Sequence, residues 1–433
     1  MLATIIIASI TFATITLSIV LFPSIRIKGY KIGTYWIISL VGAIILLASS
    51  LAPINEVWKQ LTSDNAVNPI KILILFFSMT IISVFLDEFG LFKYLAVLAS
   101  KKAKSSQFAL FFIFFAIISI LTIFTSNDIV ILTFTPFICF FCKRAKINPL
   151  PYLVSEFVAA NTWSTMLIIG NPTNIYLATS AKIDFLNYFR VMAIPTLLGS
   201  IVELGILFLL FFRKLKEPIS ISNEEYKIES EIDIFIGLIH LLVCLVFLVI
   251  SSYINVQMWL VALISCGSLF IFVLVNRLIT KKNWKFLGET FLRLPYQLIP
   301  FFLSMFVIVV AINHQGIATK MGEFLMHGPT IFVYGYSSFF ACNLINNIPM
   351  SILFANLPTG LPYNEYIRAI YSTIIGSNIG AFLTPIGALA GIMFSGLVNK
   401  YEVKFTFMDF IKYGSIIAIP VITVELASLY LFI

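Results

Sequence analysis

Long apolar runs separated by short polar loops fill the chain. The runs reach about 17 to 25 residues, the length at which a helix crosses a ~30 Å hydrocarbon core. Uninterrupted runs fall at 2–22, 34–51, 70–86, 188–212, 234–253, 258–275, 298–312 and 408–432. The first has no basic region before it and no small-residue cleavage site after it, so it reads as a span rather than a signal peptide. Four polar breaks interrupt the rest. Thr125-Ser126-Asn127-Asp128 separates 108–124 from the shorter run 129–141, and Asn346-Asn347-Ile348-Pro349 divides 330–357. Pieces that short do not span comfortably, so 108–141 and 330–357 read as re-entrant helical hairpins with the polar tip inside. Each hairpin is followed by a second break. Gly170-Asn171-Pro172-Thr173 interrupts 152–180, and Thr384-Pro385-Ile386-Gly387 interrupts 369–397, which makes both broken helices.

The two halves repeat one plan. Asp184-Phe185, Ala193-Ile194-Pro195 and Val202-Glu203-Leu204 recur in order as Asp409-Phe410, Ala418-Ile419-Pro420 and Val424-Glu425-Leu426. Ser78-Met79 with Gly90 recurs as Ser304-Met305 with Gly316, and Asn161 precedes Gly170 as Asn378 precedes Gly387. Each half holds five spans, an odd number, so the second half enters the bilayer upside down. The expected fold is an all-α polytopic membrane protein of two inverted-topology repeats. Each repeat has five transmembrane helices, one of them broken, plus a re-entrant hairpin. The first occupies 1–212, a charged cytoplasmic linker 213–233, and the second 234–433. In inverted repeats, discontinuous helices meet near the midplane and the two faces open alternately.

Composition agrees with this picture. With 60% hydrophobic and 11% charged residues among 433, the chain is no ordinary soluble globule. The net charge of +8 is not a nucleic-acid surface. In the ten-span topology, only Lys59, Lys71, Lys182, Arg190, Lys320 and Arg368 of the 28 basic residues fall on one side. Positive loops stay in the cytoplasm, so both termini are expected outside a plasma membrane. The five cysteines lie in or beside apolar runs and read as small buried hydrophobes. Cys139 and Cys142 have no second pair to complete a metal set. No cofactor is expected, and no phosphate-binding loop, catalytic pair or nucleophile motif suggests an enzyme. A channel would need a continuous path, which inverted broken helices oppose.

The breaks carry the candidate chemistry. Backbone freed from helical bonding survives in a bilayer only where it lines a polar cavity. Asn127, Asn161, Asn171, Asn174, Asn346, Asn347 and Asn378 offer uncharged donors and acceptors there, and Ser126, Thr173, Ser377 and Thr384 add hydroxyls. Asp128 is the one acid among them. A carboxylate at mid-membrane costs roughly 2.5–3.5 kcal/mol on insertion scales, so such groups line functional paths. Asp128 is read as the coupling residue, binding and releasing a proton, with helix capping as the alternative. Glu203 and Glu425 occupy equivalent mid-span positions and suggest a shared structural job or a part in ion coupling. Glu156 and His240 are expected at an interface.

Ser126-Asn127-Asp128-Ile129-Val130 with Thr135-Pro136 resembles the first hairpin of the ion transporter superfamily, as found in its arsenical pump membrane proteins. Asn346-Asn347-Ile348-Pro349 resembles their second hairpin, and Gly376-Ser377-Asn378-Ile379-Gly380 through Thr384-Pro385-Ile386-Gly387 the block after it. Ile168 to Asn174 is more similar to the broken helix of related Na⁺/H⁺ antiporters and citrate or dicarboxylate carriers. The resemblance implies a secondary transporter exporting arsenite or antimonite against inward protons, with Na⁺/H⁺ antiport or Na⁺- or proton-coupled di- or tricarboxylate transport as alternatives. It implies the lipid bilayer and a small ion as partners, and it admits a homodimer and a cytoplasmic ATPase subunit.

Overall fold

The computed structural model describes residues 1–22, 24–27, 30–64, 68–103, 106–217, 219, 230–251 and 253–433. Helices dominate because a helix satisfies every internal backbone group without water. The first half contains α1 (Leu2–Leu21), α2 (Thr34–Ala48), α3 (Ile54–Thr62), α4 (Pro69–Glu88), α5 (Leu91–Ala103) and α6 (Gln107–Phe124). It continues with α7 (Asn127–Ala145), α8 (Leu150–Trp163), α9 (Pro172–Ser180) and α10 (Phe185–Leu215). A small antiparallel ribbon, β1 (Ser24–Ile27) and β2 (Tyr30–Gly33), joins α1 to α2. The second half contains α11 (Glu231–Ile250), α12 (Met258–Thr280), α13 (Lys285–Leu292), α14 (Leu298–His314) and α15 (Ile317–Leu325). Then come α16 (Thr330–Ile345), α17 (Asn347–Phe354), α18 (Tyr363–Gly380), α19 (Leu389–Lys400) and α20 (Phe407–Phe432). Most of the expected linker, at 218 and 220–229, lies outside the described residues.

Among the described residues, seven helices are long and apolar enough to cross a membrane alone: α1, α4, α6, α10, α11, α12 and α20. The pair α14–α15, bent by 80°, adds an eighth. The shorter helices α2 and α16 are also apolar. The second arm of the first hairpin is longer than its apolar run: α7 extends over 19 residues, through Lys143 and Arg144 in its last turn. Shortness is therefore not what turns the chain at Ser126. The two arms run side by side, with the Phe114 ring 6.0 Å from Phe137 and 6.2 Å from Phe141.

Packing pairs elements of one half with elements of the other. α2 lies on α14 as α12 lies on α4, and α7 lies on α19 as α17 lies on α9. Within the halves, α6 packs on α8 and α16 on α18, while α10 and α20 pack on each other. The α16–α18 crossing needs Gly376, where any Cβ would overlap Ser338 Oγ and the Gly335 carbonyl. Close approach at small residues replaces the hydrophobic driving force that lipid removes. Exposed Ile201, Leu209, Leu242 and Ile271 point away from the core, as lipid-facing side chains do. The short helices α3, α5, α13 and α15 are absent from the sequence reading because their polar content hides them. α5 and α15 start just after Gly90 (φ 84°) and Gly316 (φ 66°), left-handed positions at matching places in the halves.

Candidate functional site

The site is built at the four breaks. α6 ends at Thr125, whose hydroxyl folds back onto the Leu121 carbonyl at 2.7 Å. Ser126 is extended and caps α7, its Oγ accepting from Ile129 N at 3.5 Å. Asn127 Oδ1 accepts from Asp128 N at 2.9 Å, and its Nδ2 donates to Asn161 Oδ1 of α8 at 3.1 Å. Asp128 is buried in the first turn of α7. Ser126, not Asp128, is the cap, and among the described residues nothing donates a hydrogen bond to the Asp128 carboxylate.

The second break opens after Trp163, passes through a short tight helix at Ile168–Gly170, and restarts at α9 under an Asn171 cap. Asn171 Oδ1 accepts from Thr173 N at 3.1 Å and Thr173 Oγ1 at 3.0 Å. Its Nδ2 donates to Asn378 Oδ1 of α18 at 2.9 Å. Ser164 Oγ donates to the same oxygen at 2.8 Å, and Asn378 Nδ2 donates to Asn174 Oδ1 at 2.7 Å and Ile374 O at 2.8 Å. Every hydrogen-bonding position of the Asn378 amide is occupied. This one side chain ties the broken helix of the first half to that of the second.

The other two breaks meet each other. Asn346 stands at φ 69°, ψ 153°, a conformation that costs of order 1–3 kcal/mol and concentrates at functional sites. Its Nδ2 donates to Ile386 O at 2.9 Å, and Asn347 N donates to Gly387 O at 3.0 Å. Asn343 links the pair, donating to Gly380 O at 2.9 Å and accepting from Thr384 Oγ1 at 2.7 Å. Ser377 is buried beside Asn378, but its hydroxyl has no partner among the described residues. None of the hydrogen bonds named here comes from a lysine, arginine or histidine.

Sequence reasoning missed Ser164 and Asn343. Ser164 and Asn343 each lie about one turn from a recognised asparagine, and that spacing is the signal that finds them. Glu156 is not interfacial: it is fully buried, with Oε1 accepting from Thr135 Oγ1 of α7 at 3.0 Å. His240 is partly buried and bonds the Ile236 carbonyl at 2.7 Å. All five cysteines are buried and free.

A cavity of about 470 Å³ runs along the far arm of the first hairpin, lined by Thr133, Pro136, Phe137 and Phe140 with Asp87 and Arg293. Arg293 pairs with Asp87 and, at 2.8 Å, with Glu88, while Thr133 Oγ1 donates to Asp87 at 3.0 Å. Arg293→Ala leaves Asp87 nearly buried without its cation. The expected loss is roughly 1–3 kcal/mol, between exposed and buried pairs, with Arg293→Lys recovering part. Thermal unfolding in detergent checks it.

Apolar helices long enough to span, wrapped around a buried network of amides and hydroxyls, define a membrane transporter. The citrate transporter family model, CitMHS, matches residues 31–369, and the chain belongs to that family, within the ion transporter superfamily that its hairpin motifs resemble. An "Arsenical pump membrane protein" of Escherichia coli is 24% identical over 430 residues, 93% of this chain and 94% of the relative. One of Yersinia enterocolitica is 24% identical over 421 residues with the same coverage. A "46 kDa membrane protein" of Mycobacterium leprae is 24% identical over 387 residues, covering 84% of this chain and 86% of its own. In fold, the chain is similar to the YdaH transporter of Alcanivorax borkumensis (TM-score 0.54, 14% identity, 100% of this chain, 97% of that one). MtrF of Neisseria gonorrhoeae aligns with TM-score 0.50 and 15% identity over 100% of this chain and 94% of its own.

Proposed function

We propose that this protein is a secondary active transporter that exports arsenite or antimonite in exchange for inward protons. The observation that carries the reading is the character of the four breaks: buried asparagine amides with serine and threonine hydroxyls, one acid, and no lysine, arginine or histidine in their hydrogen bonds among the described residues. Arsenite near neutral pH is an uncharged trihydroxide, three donors and acceptors on a small centre, and amides and hydroxyls complement it. Asp128 is the coupling residue, since its carboxylate is buried beside Asn127 with no hydrogen-bond partner among the described residues. Ser126, Asn127, Asn161, Asn171, Thr173, Asn346, Asn347, Ser377, Asn378 and Thr384 form the binding surface. The names of the arsenical pump relatives support the same substrate.

The fold reading that accompanies it is two inverted repeats, 1–212 and 234–433, with hairpins at 108–141 and 330–357. Its support is the exchange of partners between halves: α2–α14 against α12–α4, and α7–α19 against α17–α9. Alternating access follows from such a pairing. The basic loops put the α7 C-terminus and the Arg293 cavity on the cytoplasmic side, with the termini outside. In that reading the cavity lies on the cytoplasmic side of α7, its lining reaching Leu132, one turn from Asp128.

Citrate-type carboxylate transport is the second reading, favoured by the family description. A tri-anion beside Asp128 without a basic partner is electrostatically opposed, which ranks it below arsenite. Purified protein in liposomes decides between them. Saturable arsenite flux that citrate and Na⁺ do not inhibit is expected; saturable citrate flux without arsenite flux would overturn the assignment.

A further inference from the structure

Two carboxylates lie between α10 and α20, apart from the asparagine network. Glu203 and Glu425 are fully buried, and none of their carboxylate oxygens has a hydrogen-bond partner among the described residues. Gly199 locates Glu425: a Cβ there would overlap the Glu425 carboxylate, with Glu425 Cγ only 2.6 Å away. Gly199 and Glu203 are one turn apart on the same face of α10, where such positions lie about 5–6 Å from each other. The two acids are therefore neighbours, and the charge of Glu203 reaches Glu425.

A second feature points at the same spot from outside the pair. Thr162 of α8 is fully buried beside Glu203, and its hydroxyl makes no full hydrogen bond among the described residues. Its neighbour Asn161 holds the hairpin tip through Asn127. One turn of α8 thus presents an amide to the substrate site and an unsatisfied hydroxyl to the acids.

The other ionisable groups on the packed helices do not neutralise them. Tyr188 of α10 is within reach of the Glu425 charge, but its hydroxyl donates to Thr165 O at 3.0 Å and its ring lies 6.0 Å from Tyr371 of α18. Glu156 of α8 is engaged by Thr135, Arg368 of α18 bonds Glu365 and the Ile433 carbonyl, and α6 carries no ionisable residue. His240 of α11 bonds Ile236 O, and α16 contributes the buried Tyr334. Along α10 and α20 the nearest bases, Arg190, Arg213 and Lys412, stand at least ten positions away, about 15 Å or more. Two ionised carboxylates this close in a low-dielectric interior repel strongly. One shared proton turns the repulsion into a charge-assisted O–H···O bond.

We propose that Glu203 and Glu425 form a second proton-binding site, one carboxyl donating to the other's carboxylate, and that Thr162 links its state to the substrate site. The proton comes from bulk water and returns to it when the helices open; no other bond changes. The site does not depend on which substrate the asparagines take.

Infrared difference spectra of the purified protein across a pH series, in H₂O and D₂O, read the proton directly. The expected result is a protonated-carboxyl C=O stretch that grows as pH falls and shifts in D₂O. It is retained in Asp128→Asn and lost in the Glu203→Gln/Glu425→Gln double variant. Should the double variant not fold, each single variant leaves one buried carboxyl without its carboxylate acceptor and shifts the band's frequency, as does Gly199→Ala, which crowds Glu425. A band that survives both glutamine substitutions overturns the proposal. So does one of constant intensity at every pH where the protein stays folded, which marks a permanently protonated structural pair. A band displaced by Na⁺ rather than by pH also overturns it. If the band behaves as expected while arsenite is not transported, the proton site stands and the substrate assignment falls.

Discussion

Asp128→Asn is expected to leave downhill arsenite exchange intact and to abolish accumulation against a gradient. The side chain is buried at the head of α7, nothing described donates a hydrogen bond to it, and Ser126 already performs the capping. An asparagine fits the same space and keeps the amide character of its surroundings, so folding and substrate binding survive. What disappears is a group that takes up and releases a proton. With the membrane potential clamped, a one-unit pH gradient is worth about 1.4 kcal/mol per proton, or about tenfold accumulation for each proton carried. The measurement is the steady-state ratio of arsenite inside and outside liposomes with an acid lumen. Wild-type protein should exceed unity by that factor, and the variant should settle at unity. Full coupled transport by Asp128→Asn would remove Asp128 from the coupling role.

Asn378→Ala is expected to be the most damaging single truncation in the network. Asn378 accepts from Ser164 and Asn171 and donates to Asn174 and Ile374 O. Ser164 keeps its second acceptor, the Asn161 carbonyl at 2.7 Å, but the Asn171 amide loses its acceptor and the Asn174 side-chain oxygen keeps only the long contact from Thr173 Oγ1 at 3.5 Å. Each buried polar group left unmatched costs roughly 1–3 kcal/mol. The variant should therefore unfold at lower temperature in detergent and lose saturable arsenite transport together. Truncating Ser377, whose hydroxyl has no partner among the described residues, should be nearly neutral for stability. Comparing the two unfolding curves checks whether the network, rather than burial alone, holds the halves together.

The long spans were legible because a bilayer removes the competition that obscures helices in water. Where the helix-forming run is apolar, as in α4 or α12, its bounds follow hydropathy to within a turn or two. Amphipathic α5 and α15 escaped because half their surface is polar and their starts depend on left-handed glycines, Gly90 and Gly316. The breaks were legible for the opposite reason, since asparagines and prolines stand out against the apolar sequence of the spans. Which asparagine bonds which was not legible. That Asn378 reaches across to Asn171 and Asn174 depends on how α18 crosses α8 and α9, and no one-dimensional spacing encodes a crossing. Glu156 was misplaced by the same limitation: its position near the start of α8 suggested an interface, whereas α7 covers it through Thr135.

Proton counterflow on adding arsenite tests the central claim most directly. Liposomes holding the wild-type protein and a pH-sensitive dye in the lumen, with the potential clamped and no initial pH gradient, are given arsenite outside. Arsenite entry must expel protons, so the lumen should turn alkaline at a rate that saturates with arsenite and vanishes in Asp128→Asn. Arsenite entry with no change in lumenal pH, or alkalinisation driven by Na⁺ or citrate instead, would contradict proton-coupled arsenite exchange at this site.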